Sequence, residues 1–245
     1  MAGIITATSE ANAAFHYRNL RVFFVWLVKR KHIMTGNPMA TTEAPRVPTK
    51  LVPILTDDDH EQLLAACEGR DFCAIRDRAL ILFFKDTGAR VSEVGNLDVD
   101  AIMLGLRQAR VMGKGRKERM VGFGSDAGLA LARYLKARTK LMAERGVTSS
   151  NLWLNHWGRP LTVQGIKWGL RRRGQQAGVA KVHAHRFRHS FAHDWKSNQG
   201  SNEGLMGIGG WSSSKMVEHY GKIARANRAL AEQQRLMLGM AAGDE

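Results

Sequence analysis

His183–His193 reads HAHRFRHSFAH. A helix over Ala184–Lys196 would place His185, His189 and His193, spaced i, i+4 and i+8, on one face. Such a face invites a zinc ion. Arg186 and Arg188 stand among these histidines, however, and two guanidinium groups oppose a cation. The only carboxylate nearby in sequence is Asp194. No metal site is expected, and the arginines point instead to an anionic partner.

The flanking charge points the same way. From Arg145 to His193 there is no Asp or Glu, while Arg145, Arg159, Lys167, Arg171, Arg172, Arg173, Lys181, Arg186 and Arg188 all fall inside that stretch. A solvated helix face mixes signs. An acid-free basic stretch reads as a surface that meets phosphates. The whole chain agrees, with 37 Lys and Arg against 22 Asp and Glu, a formal charge of +15 and a pI near 10.4. That balance favours nucleic acid as partner, ahead of acidic lipid. No aromatic signature of RNA binding accompanies it.

Three further stretches stand out. TGARVSEV at Thr87–Val94 is a tight turn presenting Arg90 at a helix start. GKGRKERMV at Gly113–Val121 is a basic hairpin tip. GGWSSSKMVEHY at Gly209–Tyr220 brings a Trp and a Tyr close to a glycine pair. Within the hairpin Arg116, Lys117 and Arg119 are candidate DNA contacts. Lys167, Arg171, Arg172, Arg173 and Arg186 join them from the acid-free stretch.

Periodicity predicts helices over Glu10–His32, from Thr56 to about Cys67, Phe72–Lys85, Val91–Leu97, Leu129–Ala143, Thr162–Ala177, Ser213–Tyr220 and Ile223–Leu238. Short strands are predicted at Ala101–Leu104, Gln108–Met112 and Arg119–Phe123, joined at Gly105 and Gly113–Gly115. The fold class is mainly α with a small three-stranded antiparallel β-sheet. Pro38, Pro45, Pro48 and Pro53 mark residues 36–54 as an extended linker. It separates a single N-terminal helix in 1–35 from a larger domain over 55–245. Cys67 and Cys73 cannot build a disulfide framework or a four-cysteine zinc site. The N-terminus lacks a signal-peptide pattern, and no apolar run is long enough to span a bilayer. A soluble, cytoplasmic protein with no membrane partner is expected.

Together the four stretches resemble the catalytic core of the tyrosine recombinases, the phage-integrase family with its Xer-like members, over roughly Leu55–Leu236. Arg90 stands in the family's T-G-x-R-x-S-E motif and Lys114 in its G-K-G-x-K-x-R hairpin. His185 and Arg188 form its H-x-x-R pair, followed by His189. Trp211 takes the place of a His or Trp, and Tyr220, nine residues later, that of the nucleophile. The resemblance implies the tyrosine recombinase catalytic fold and a DNA site-specific recombinase or integrase. Such an enzyme cleaves and rejoins strands through a covalent 3′-phosphotyrosine, without ATP, metal or other cofactor.

On that resemblance the catalytic set is Arg90, Lys114, His185, Arg188, Trp211 and Tyr220. Arg90 and Arg188 suit a pentacoordinate phosphate, because a guanidinium donates paired hydrogen bonds and keeps its charge. Lys114 is the candidate acid for the leaving 5′-oxygen, with Lys117 a rival on the same turn. His185 is either the base for Tyr220 or a phosphate ligand. Trp211 donates one indole hydrogen bond or packs. His189 reads as structural, and Glu93 as a residue that orients Arg90. Four protomers on two double-stranded DNA sites form the implied assembly, with Ile223, Ala226, Leu230, Leu236 and Met237 docking on a neighbour or, alternatively, on their own domain. Residues 1–35 would be the remnant of an N-terminal clamp domain. The alternatives are a truncated integrase that only binds DNA, and an enzyme like type IB topoisomerases.

Overall fold

The computed structural model describes residues 9–32, 36–46, 53–113 and 115–241, with only part of the side chains in the last helix. Two compact units are found, residues 1–51 and 52–245.

The first unit is built on helix α1, Glu10–Lys29. Its Ser9 cap accepts from the amide of Asn12, and Glu10 and Lys29 complement the helix dipole. Ala13 and Tyr17 are buried, and the Tyr17 hydroxyl donates to the Thr42 carbonyl at 2.8 Å. Residues 36–46 are therefore less extended than their prolines suggest. Asn37 closes a turn by accepting from the Met39 amide at 2.8 Å, and the segment folds back on Tyr17. Residues 47–52 of the linker lie outside the described residues.

The second unit opens with α2, Asp57–Ala65, started by a capping box between Thr56 and Asp59. Helix α3, Phe72–Thr87, is its central rod. Ala79, Leu80, Ile81, Leu82, Phe83 and Phe84 are all buried, so α3 is covered on nearly every side. Each of these Leu, Ile and Phe side chains contributes roughly 1.5–3 kcal/mol. Helix α3 stops at Gly88, whose φ of +55° suits glycine and where a Cβ would meet Phe191 at 2.5 Å.

After α4, Val91–Gly95, strands β1 (Ile102–Met103), β2 (Gln108–Met112) and β3 (Glu118–Gly122) form an antiparallel sheet in the order β1-β2-β3. Val111 pairs with Arg119 across β2 and β3. Helices α5 (Ser125–Arg145), α6 (Val163–Gln176) and α7 (Ala184–Ser197) complete the main core. Tyr134 stacks on Trp153 there at 5.1 Å between ring centroids.

A smaller apolar cluster of Ala192, Leu205, Val217 and Tyr220 joins α7 to the two last helices. Of these, α8 (Asn202–Gly209) is absent from the expectations above, because Gly204, Gly207 and Gly209 dilute its pattern. The other, α9, is one unbroken helix over Ser214–Ala241 where two were expected. Gly221, between the two expected helices, is buried, and a Cβ there would stand 3.5 Å from Cε of Lys196 on α7. Its role is close approach between helices. No described helix is long and apolar enough to cross a membrane.

Candidate active site

The site gathers where α3, α4, α7, α8 and α9 converge. Arg188, on α7, is buried and spans the gap between two backbone ends. One terminal nitrogen donates to the Gly88 carbonyl at 2.9 Å and the other to the Gly209 carbonyl at 2.7 Å. Arg90, at the start of α4, donates to the next carbonyl, that of Gly210, at 2.8 Å. The Gly209–Gly210 pair thus holds both arginines. Gly210 has φ +64°, and a Cβ there would lie 3.3 Å from a terminal nitrogen of Arg90. The loop needs glycine for its backbone and for that approach.

Glu93 is the hub behind Arg90. Its carboxylate accepts from the Arg90 amide and guanidinium, both at 2.8 Å, and from two nitrogens of Arg119 at 2.9 and 2.8 Å. Burial pushes this carboxyl up, but the hydrogen bonds from Arg119 and Arg90 outweigh it and hold Glu93 below the ordinary carboxylate value. The Arg188 guanidinium lies 3.7 Å from the centre of the Trp211 ring. Burial, reinforced by the nearby Arg90 charge, draws its pKa down to about 10.

Tyr220 lies in the second turn of α9 and is buried. Its hydroxyl is 2.6 Å from Nδ1 of His189, and the Trp211 ring stands edge-on at 6.1 Å. Burial pushes the phenol up to about 12, although Arg188 pulls the other way. His185 is exposed one turn earlier on α7, with its ring edge-on to His189 at 4.3 Å. Burial of part of its ring, then the Arg188, His183 and Arg90 charges, lower its pKa. Among the described residues no three His, Cys, Asp or Glu side chains gather as a metal-ligand set.

Of the expected catalytic set, Arg90, Arg188 and Trp211 share the Gly209–Gly210 loop, with Tyr220 against Trp211. His185 contacts His189. The Tyr220 hydroxyl is met by His189, which the sequence reading gave a structural part. Lys114 lies outside the described residues. Arg116 and Lys117 are exposed near it.

The expected DNA contacts divide. Lys167 and Arg171 are exposed and line an open groove of about 1920 Å³, with Trp157, Trp168 and His185 also on its walls. Arg172 is half exposed and pairs with Asp77 at 3.0 Å. Arg119, Arg173 and Arg186 are turned inward. Arg173 is buried against Asp77 at 2.9 Å, and Arg186 pairs with Asp59 at 3.0 Å. Arg119 is held by Glu93 and donates to the Ile208 carbonyl at 2.6 Å. Their helical or strand spacing with inward apolar residues was the available signal: Arg173 follows Ile166 and Leu170 on one face.

A mainly helical domain with a three-stranded antiparallel sheet is the architecture of tyrosine recombinase catalytic domains, and solved structures of that class align with it. XerA recombinase matches with a TM-score of 0.63 at 22% identity, over 96% of this chain and 79% of XerA. A lambda integrase crystallised as a dimer bound to a COC′ core site gives 0.67 at 19% identity, over 88% of this chain and 77% of the integrase. Residues 53–227 match the phage integrase family model, and the chain belongs to that family. Tyrosine recombinase XerC of Listeria innocua serovar 6a is 30% identical over 219 residues, which cover 87% of this chain and 73% of XerC.

Proposed function

We propose that this chain cleaves and rejoins double-stranded DNA through a 3′-phosphotyrosine formed at Tyr220. The observation that carries this reading is the shared grip of Gly209 and Gly210 on Arg188 and Arg90, beside Trp211 and Tyr220. Two guanidinium groups placed together are what the added charge on a pentacoordinate phosphate demands.

In the first step the Tyr220 oxygen bonds to phosphorus and the bond to the 5′-oxygen breaks. The phenol proton leaves to imidazole, His189 being the ring at the hydroxyl. Lys114 protonates the departing oxygen, and exposed His185 contacts the phosphate from the groove side. A second 5′-hydroxyl then attacks the phosphotyrosine and restores the phenol. The phosphotyrosine conserves the energy of the broken ester, so neither ATP nor a cofactor is needed. Arg90, Arg188 and Lys114 supply the charge stabilisation that Mg²⁺ supplies elsewhere. Duplex DNA lies along the groove walled by Lys167, Trp168 and Arg171, with Arg116, Lys117 and Arg172 as outer contacts. Arg119, Arg173 and Arg186 act from within the fold. The working assembly is a tetramer on paired sites, in the cytoplasm.

Covalent trapping tests the reading. The protein and a Tyr220→Phe variant are mixed in EDTA with a pool of nicked duplexes from the DNA flanking the gene, then run on a denaturing gel. A protein–DNA band that requires Tyr220 is expected. DNA binding in a mobility shift with no covalent band from either protein would overturn strand transfer.

A further inference from the structure

Arg119, a basic hairpin residue expected at the DNA surface, is turned into the fold and takes no direct part in the strand-transfer steps. Its side chain is 13% exposed. Its donors point to three places at once: Nε to the Ile208 carbonyl on α8, and the two terminal nitrogens to separate oxygens of Glu93 on α4. Strand β3, α4 and α8 are therefore pinned at one guanidinium. The same group reaches the glycine pair, since a Cβ on Gly210 would stand 3.2 Å from it and 3.3 Å from Arg90. At the hairpin base, a Cβ on Gly113 would lie 3.5 Å from Arg119 and 3.7 Å from Glu93.

The charges matter more than the bonds. Glu93 is nearly fully buried, its side chain 2% exposed, and it touches two guanidinium groups. Arg90 with Glu93 alone would be a neutral pair, with nothing left over to attract a phosphate. Arg119 supplies the second positive charge. It returns the cluster of Arg90, Glu93 and Arg119 to a net charge of +1, and Arg90 is its exposed member at 38%. At short range and away from bulk water, one unit of charge weighs heavily. It also divides the demand on Glu93, whose oxygens would otherwise serve Arg90 only.

We propose that Arg119 is a charge-compensating positioning residue, which shares Glu93 with Arg90 so that Arg90 keeps a net positive charge for an incoming DNA phosphate. This rests on the reading of Arg90 as a phosphate ligand. A residue that only staples β3 to α8 would be needed for stability and indifferent to the charge of the ligand.

The probe is inorganic phosphate, titrated into the full chain and followed by the NMR shift of the Trp211 indole N–H, with Trp211→Phe identifying the peak. Arg119→Gln is expected to weaken phosphate binding roughly tenfold, because it removes one unit of positive charge beside Arg90. Arg119→Lys, which keeps the charge but not the fork, should stay within about threefold of wild type. Equal losses in Lys and Gln would overturn the proposal. So would wild-type affinity in Arg119→Gln, or no saturable shift in the wild-type chain. Should Arg119→Gln not fold, Arg119→Lys decides alone, because a tenfold loss there assigns Arg119 to geometry. Covalent trapping of the same proteins is read separately: a chain that binds phosphate as expected yet never forms the Tyr220 adduct would sink the recombinase reading and leave this one standing.

Discussion

Tyr220 and His189 meet across 31 positions of sequence, with the phenol oxygen 2.6 Å from Nδ1 of the imidazole. A neutral imidazole that accepts there carries its own proton on Nε2. With the phenol pushed up to about 12, Tyr220 holds its proton at neutral pH and, in the proposed reaction, needs an acceptor for it. His189→Ala is therefore expected to slow formation of the covalent complex by about 100-fold. The check is a single-turnover rate on a nicked duplex, and an unchanged rate would remove His189 from the chemistry.

Arg188 serves the fold as well as the site. Replacing it with Ala strips buried donors from the carbonyls of Gly88 and Gly209. Leaving them unpaired costs roughly 3 kcal/mol of stability, and strand cleavage should be lost outright. Urea denaturation reads the first effect. A midpoint equal to wild type would mean that water satisfies both carbonyls.

Asp77 carries three arginines. It accepts from Arg76 and Arg173, both buried, and from Arg172. Asp77→Ala leaves that positive charge without its counter-ion and is expected to cost about 3–5 kcal/mol. Arg172→Ala removes a partner that is 52% exposed and should cost less than about 1 kcal/mol. Denaturant midpoints compare the two, and equal losses would contradict this ordering.

Acid should weaken the fold through His60. Its ring is buried against Phe187, and Nδ1 has no hydrogen-bond partner among the described residues. Burial, followed by the Lys85 charge, lowers its pKa from 6.5 to about 4. The unfolded chain therefore takes up a proton near pH 6.5 while the folded one resists until about pH 4. Stability is full above that window and falls through it by roughly 3 kcal/mol. His60→Phe should flatten this part of the stability curve. An unchanged slope would assign the acid sensitivity to other groups.

Much of this was legible in the sequence. The three strands sit within a residue or two of their expected places, because turn glycines and a period of two leave little choice at Gln108–Met112. Arg90, Arg188 and Tyr220 stood out through local motifs. The partners of Arg119 did not, since Glu93 and Ile208 reach it only through tertiary folding. Arg173 was misleading for a different reason. Charge suggested a surface, while its spacing from Ile166 and Leu170 already placed it on the inner face of α6. The helix over Asn202–Gly209 was hidden because Gly204, Gly207 and Gly209 thin its apolar pattern, and the last helix runs unbroken through Gly221 where two were expected.

Tyr220 and the far turns of the chain belong to one uninterrupted helix of 28 residues, roughly 42 Å long. Such a rod has no joint at the phenol. A torque applied to its distal turns is delivered to Tyr220 unless backbone hydrogen bonds break on the way. The phenol oxygen is thus aimed by a lever whose handle lies outside the pocket, next to the exposed Leu230, Leu236 and Met237.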